Sequence, residues 1–135
     1  MGHPPRGSGC ALKMMVMFSA QVLDHFQNPR NAGDLENPDA SVQVENPACG
    51  DVLKLSLTVE DGRIAEARFK AKGCVPAMAC GSLLTEMISG KTLAEARKIR
   101  REELVKAIGG LPPESSHAAH LAVDALAAAL RQLEK

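Results

Sequence analysis

The 135-residue chain has no tryptophan and no tyrosine, and only three phenylalanines. A platform that stacks the bases of single-stranded nucleic acid needs aromatic rings, so that class of function is excluded. It also lacks a surplus of charge, with sixteen Lys and Arg against sixteen Asp and Glu. No positive field exists to hold a phosphate backbone, so no nucleic-acid partner is expected. Long apolar runs are missing as well, and none approaches the ~20 residues of a membrane-spanning helix. The stretch nearest to a signal peptide, Ala11 to Phe18, is uninterrupted only from Met14 to Phe18. A secretory core needs roughly 7–15 apolar residues. The chain is therefore read as cytoplasmic, with no membrane partner. Internal repeats are absent too.

What remains is ordinary for one globular domain: 45% apolar and 24% charged residues. Residues 1–16 begin with the aperiodic MGHPPRGSG and are expected to form a disordered leader or expression remnant. That leaves 17–135 as the domain and places Cys10 outside it. The other cysteines are Cys49, Cys74 and Cys80. In a reducing compartment they point to metal binding or reactivity rather than to disulfides.

Ser19 is a plausible N-cap for a helix carrying Val22, Leu23 and Phe26, which Asn28-Pro29 stops. Loop follows, rich in Asn, Pro, Asp and Gly, with a short strand over 41–45. From Val52 to Val59 the residues alternate, and Leu53, Leu55, Leu57 and Val59 share one face. Asp61-Gly62 predicts a hairpin, with Ile64–Phe69 as the return strand. Helical spacing takes over at Pro76 and runs to Gly90. Thr92-Leu-Ala-Glu95 is a capping box. Further helices are expected over 102–108 and, behind Ser115-Ser116, over 117–133 with a stripe of Ala122, Leu126, Leu130 and Leu133. Strands before helices make the class α+β, a small antiparallel sheet with helices packed on one face.

Metal-ligand chemistry collects at three places. Cys49 and Asp51 flank Gly50, and in an extended segment residues two apart face the same side. Cys74 stands just before the helix that starts near Pro76, where the helix dipole favours thiolate. His117 opens the last helix. Each has an ordinary reading beside this one: a single cysteine is commonly a small buried apolar residue, and a single histidine a cap or surface group. His3, His25 and His120 take that ordinary reading. Cys80, six residues after Cys74 on a helix, points about 240° away from it and is assigned to the core. Spacing alone leaves the function open.

Longer stretches are more specific. FSAQVLDHFQNPRNAGDLENPD at 18–39, NPACGDVLKLSL at 46–57, ARFKAKGCVPAMACGSLLTEMISGKTLAEA at 67–96 and LPPESSHAAHLAVDALAAAL at 111–130 occur in this order without a large insertion. Together they resemble the NifU/IscU-type iron–sulfur cluster assembly scaffolds, of SufE/NifU-like fold. The resemblance implies a three-stranded antiparallel sheet with helices. It also implies a non-enzymatic scaffold or carrier that assembles a [2Fe–2S] cluster from iron and from the sulfur of a cysteine desulfurase, then passes it to apo iron–sulfur proteins. Zinc is implied as another occupant of the same place. Cys49, Asp51, Cys74 and His117 fall on the family's metal ligands. The family's third cysteine is Ala118 here. The lysine two before the histidine is Ser115, and an LPPVK-like docking stretch reads LPPES, which argues against docking of a dedicated Hsp70-type chaperone. Cys80 stands where serine is common and is at most an accessory thiol. The alternative is a zinc-bound sulfurtransferase accepting persulfide sulfur on Cys49 or Cys74. That branch of the family usually carries an insertion and lacks the histidine, so it ranks second.

Overall fold

The computed structural model describes residues 18–46, 50–111 and 115–133. The expected leader, with His3 and Cys10, lies outside the described residues, and so does Cys49. The elements run α1 (Ala20–Gln27), β1 (Ala40–Asn46), β2 (Asp51–Glu60), β3 (Arg63–Lys72), α2 (Val75–Ile88), α3 (Leu93–Arg97), α4 (Arg101–Ala107) and α5 (Ser116–Leu133). The strands form one antiparallel sheet in the order β1-β2-β3. The expected class is what the structure has, and each expected element is present to within a few residues.

The sheet is two-faced because its strands alternate in register. The rows Ala40–Leu57–Ala67, Val42–Leu55–Phe69 and Val44–Leu53–Ala71 lie on one side. They pack against the core, and Leu53, Leu55 and Leu57 are buried to 1% exposure or less. The intervening rows Ser41–Ser56–Arg68 and Gln43–Lys54–Lys70 are mostly polar and face away from the helices. Val59 departs from its expected place. The pairing register shifts between Thr58 and Val59, which leaves Val59 only half-buried. Asp61 and Gly62 turn the hairpin with φ of 53° and 76°, the left-handed pair that a tight primed turn requires. The outer edge of β3 is not bare. The segment around Ala32 bridges to Phe69, with the Gly33 N–H donating to the Phe69 carbonyl at 2.8 Å.

Helix α2 is buried nearly all round. Ala77, Cys80, Gly81, Leu84 and Ile88 lie inside the molecule, a spacing of three, four and seven that defines one helix face. Gly81 is what lets the helix sit close to the sheet. A Cβ there would stand 2.8 Å from Phe69 Cδ2 and 3.1 Å from Leu53 Cδ1. On another side, α1 and the turn after it lock on through polar groups. Ser82 Oγ accepts the Arg30 N–H at 2.8 Å and lies 2.8 Å from His25 Nδ1. His25 therefore departs from the cap or surface role expected of it: it is buried, and burial holds its pKa below the ordinary histidine value. Nothing in its local spacing signals this, because its partner is 57 residues away.

Helix α5 runs back along β1. Near its end Gln132 clips Ser41, accepting from the Ser41 N–H at 2.9 Å and donating to the Ser41 carbonyl at 3.0 Å. Its first turn is consequently beside the opposite end of β1, at Asn46. The stripe Ala122, Leu126 and Leu130 is buried as expected, while Leu133 is only half-buried.

Gly81→Ala tests the tight seam. Alanine favours a helix over glycine by ~1 kcal/mol, whereas overpacking a filled seam costs about 1–3 kcal/mol. Because a stiff ring is the obstacle, thermal unfolding should show a net loss of stability. A raised melting temperature would mean that helix and sheet stand further apart.

Candidate metal centre

Three elements bring their ends to one end of the sheet. Asp51 is the first residue of β2 and pairs with Asn46, the last of β1. Cys74 is the N-cap of α2, two residues past the end of β3. His117 lies in the first turn of α5, which the Gln132 clip has aligned with the same end.

Asp51 is the hub. Its carboxylate is 1% exposed, an expensive place for a charge unless it is hydrogen-bonded. The Cys74 N–H donates to Oδ1 at 3.1 Å, the Cys74 thiol donates to Oδ2 at 3.2 Å, and His117 Nε2 is 3.1 Å from the same Oδ2. Cys74 Sγ and His117 Nε2 are 3.9 Å apart. All three donor atoms lie within 4.8 Å of one another. A tetrahedral zinc with bonds of 2.0–2.3 Å sets its ligand atoms roughly 3.4–3.6 Å apart. The triangle of 3.1, 3.2 and 3.9 Å brackets that spacing, so these residues fit a metal with small adjustments. Gly73 makes the approach possible, for a Cβ there would fall 2.1 Å from Asp51 Oδ1, and its φ is +144°.

The thiol at Cys74 behaves differently from the expectation drawn from the helix dipole. Burial pushes its pKa up to about 11, the Ala77 N–H opposes that, and the Asp51 carboxylate adds to the rise by hydrogen bond and by charge. A helix N-terminus does aim a backbone donor at the sulfur, yet burial beside a carboxylate prevails. Without a metal this is a proton-holding thiol, and its S–H points at Asp51 Oδ2, the side on which a cation would bind.

The i, i+2 argument for Cys49 and Asp51 also fails in its premise. Gly50 has φ of +72° and donates its N–H to the Asn46 carbonyl at 2.8 Å. The chain therefore turns at Gly50 instead of running extended through it, and Cys49 lies outside the described residues. Cys80 is where the helical angle put it, in the core at 0% exposure, with burial pushing its thiol up to about 12. Ala118 is likewise a core residue, 1% exposed, next to His117 in sequence but packed inward. Ser115 is buried as well, so the position offers no surface cation. His120 is exposed, as expected, and pairs with Asp124 at 3.3 Å.

Fold and donors define a class: a small α+β domain with a thiol, an imidazole and a buried carboxylate gathered at one end of its sheet. Within that class, this chain belongs to the NifU-like N-terminal domain family, whose model matches residues 17–135. It is 46% identical over 114 residues to the iron-sulfur cluster assembly scaffold protein IscU 1 of Archaeoglobus fulgidus, covering 84% of this chain and 74% of that one. The iron-sulfur cluster assembly scaffold protein IscU of Escherichia coli K12 is 45% identical over 119 residues, with 85% and 92% covered. The crystal structure of the N-terminal part of a nitrogen-fixing NifU-like protein from Brucella abortus has the same fold, with a TM-score of 0.70 at 23% identity, covering 87% of this chain and 94% of that one.

Two outcomes check the centre. Gly73→Ala should displace Asp51 and weaken zinc binding at least tenfold in a chelator competition. Gly90→Ala, at an equally left-handed φ of +81° with open space around it, should leave zinc affinity unchanged. Alkylation of Cys74 in the metal-free chain, read by peptide mass spectrometry, should keep accelerating with pH up to about 11. Because the folded state holds this proton more tightly, the associated stability is present below the ordinary thiol value and declines as pH rises toward 11. Alkylation already at its plateau by pH 9 would contradict the burial argument.

Proposed function

We propose that this chain is an iron–sulfur cluster assembly scaffold, carrying iron or a [2Fe–2S] cluster as cargo at Cys49, Asp51, Cys74 and His117. The observation that carries the reading is the buried Asp51 carboxylate shared by Cys74 and His117 across three elements. A carboxylate at that depth adds nothing to the apolar core, and its donor partners are a soft thiol and a borderline imidazole, the mixture that iron and zinc accept. The names of the relatives support the same reading. Cys49 joins the set because it stands two residues before Asp51 in the sequence, at the position that matches the first cysteine of the family.

The role asks for donors that bind and release, with no bond made or broken in a substrate by the chain itself, so no residue is given a catalytic role. Its partners are then a cysteine desulfurase that supplies sulfur and apo iron–sulfur proteins that take the product, in the cytoplasm, with residues 17–135 as the working domain. Zinc fits the same four ligands. Ala118 offers no thiol, so the cluster rests on two thiolates and is held more loosely than one with three.

Anaerobic reconstitution with iron, sulfide and a desulfurase, followed by visible absorbance, tests this. The cluster band should form in the natural chain and in Cys80→Ser, and vanish in Cys49→Ser and in Cys74→Ser. Asp51→Ala should change the rate of transfer to an apo-acceptor more than the amount of cluster formed. Zinc retention with persulfide on Cys49 or Cys74 and no cluster band would turn the assignment to a sulfurtransferase.

A further inference from the structure

The outermost N–H and C=O groups of a sheet have no strand to pair with, so an edge is where another protein can add one. Strand parity tells which groups of β1 point outward. Gln132 bonds both the N–H and the carbonyl of Ser41 from outside the sheet. Backbone groups of alternate residues point the same way, so those of Gln43 and Glu45 point outward too. Val42 and Val44 turn inward, to Leu55 and Leu53 of β2. The far edge agrees with this count. With Leu55 facing β1, Lys54 and Ser56 face Lys70 and Arg68, which leaves Phe69 pointing out. Its N–H and carbonyl are indeed taken from outside, by Asn31 at 3.0 Å and Gly33 at 2.8 Å.

On β3 the outward groups of Ile64 are covered as well, by Gly90 and Lys91. On β1 the Gln132 amide caps Ser41 as a neighbouring strand would, with one acceptor and one donor for a single residue. Past that cap the edge is open. The outward groups of Gln43 and Glu45 have no partner among the described residues, and both residues are exposed. Helix α5 lies alongside. His117, Leu121, Asp124, Ala128 and Gln132, spaced four, three, four and four, form one line along it. A cavity of about 220 Å³ separates the first three from Glu45 and Asn46. This groove is acidic. Glu45 has no ion pair among the described residues, Asp124 has the His120 imidazole beside it at 3.3 Å, and neither Lys nor Arg lines the cavity. Lys54 and Lys70, in the row of Gln43, are both held by Asp34.

We propose that the open edge of β1 at Gln43 and Glu45 is a docking site for an extended, basic segment of a partner protein, which adds to the sheet as a fourth strand along α5. Backbone pairing supplies the affinity, and alternate side chains supply the selectivity. Directly paired residues share a face. A Lys or Arg opposite Glu45 therefore meets its carboxylate on the open face, while the residues between lie over Leu121 and Ala128 of α5. A second copy of β1 is a poorer occupant. Antiparallel pairing about Val44 would bring two Glu45 carboxylates and no cation into one short ladder. The added strand would end beside Asn46, which pairs with Asp51, so the partner is anchored next to the centre. The surface stands on strand parity and charge and does not rest on the scaffold reading.

The probe is a fluorescent peptide, Lys-Val-Lys-Val-Lys blocked at both ends, titrated with the full chain and followed by anisotropy. It should bind saturably. N-methylation of its lysines removes the N–H groups that would face Gln43 and Glu45 while keeping the charge, and should weaken binding at least tenfold. Glu-Val-Glu-Val-Glu should bind at least tenfold more weakly than the basic peptide, and Glu45→Lys should reverse that preference. Gln43→Pro removes an outward N–H without breaking the β1–β2 ladder, since proline is accepted on edge strands. It should weaken the basic peptide at least tenfold and leave zinc affinity and circular dichroism unchanged. If that variant is destabilised, amide hydrogen exchange in the natural chain decides instead: the basic peptide should slow Gln43 and Glu45. No saturable binding below about 1 mM, equal binding of the methylated peptide, or indifference to peptide charge would overturn the proposal. A dimer of the natural chain that Gln43→Pro dissolves would overturn it in favour of a second copy.

Discussion

A carboxylate at 1% exposure is the constraint on which the rest of this structure turns. Asp51 opens β2, and a charge there is tolerable only if donors surround it. The fold supplies them from two other elements, through the N–H and thiol of Cys74 and the imidazole of His117. That requirement fixes how α2 leaves the sheet and where α5 begins. It also explains why residue 73 has no side chain, since the space a Cβ would need is filled by the Asp51 carboxylate.

The core works toward the same end by a different route. An alternating leucine row on β2 presses against a helix whose contact face is Ala, Cys, Gly, Leu and Ile. Small residues in that face bring α2 within touching distance of Phe69, and the close seam holds the helix start steady relative to the sheet end. The buried pair His25 and Ser82 secures the far side of α2. Neither feature touches the centre, yet both limit how far Cys74 can drift from Asp51. A site assembled from three segments needs such support, because each donor is only as well placed as the element that carries it.

Membership of the NifU-like N-terminal domain family, the fold shared with a solved member and the donor triangle agree with one another. What sets this chain apart is local. Ala118 and Ser115 are buried residues beside His117, where the resemblance led one to look for a thiol and a cation. Cys80 cannot substitute for the thiol without leaving a fully buried position. The ionisable groups that do lie near His117, His120 and Asp124, are paired with each other on the exposed side of α5.

Much of this was legible in the order of the residues. Alternating leucines in 53–57, the Asp61-Gly62 turn, the Thr92–Glu95 capping box and the Ser19 cap are short-range physics, and each is found where the sequence places it. The identities of Asp51, Cys74 and His117 as candidates came from the sequence too. Their distances could not, because 66 residues separate Asp51 from His117 and only the docking of α5 along β1 brings them within 3.1 Å. Local rules also misjudged what depends on surroundings. The dipole argument favoured a thiolate at Cys74, and burial against Asp51 reversed it. A lone histidine reads as a cap or surface group, and the packing of α2 buries His25 instead. The sequence by itself determined the elements and the donor types, since both depend on neighbours along the chain. Tertiary structure alone decided burial, proximity and charge, because these depend on which distant segments pack against one another.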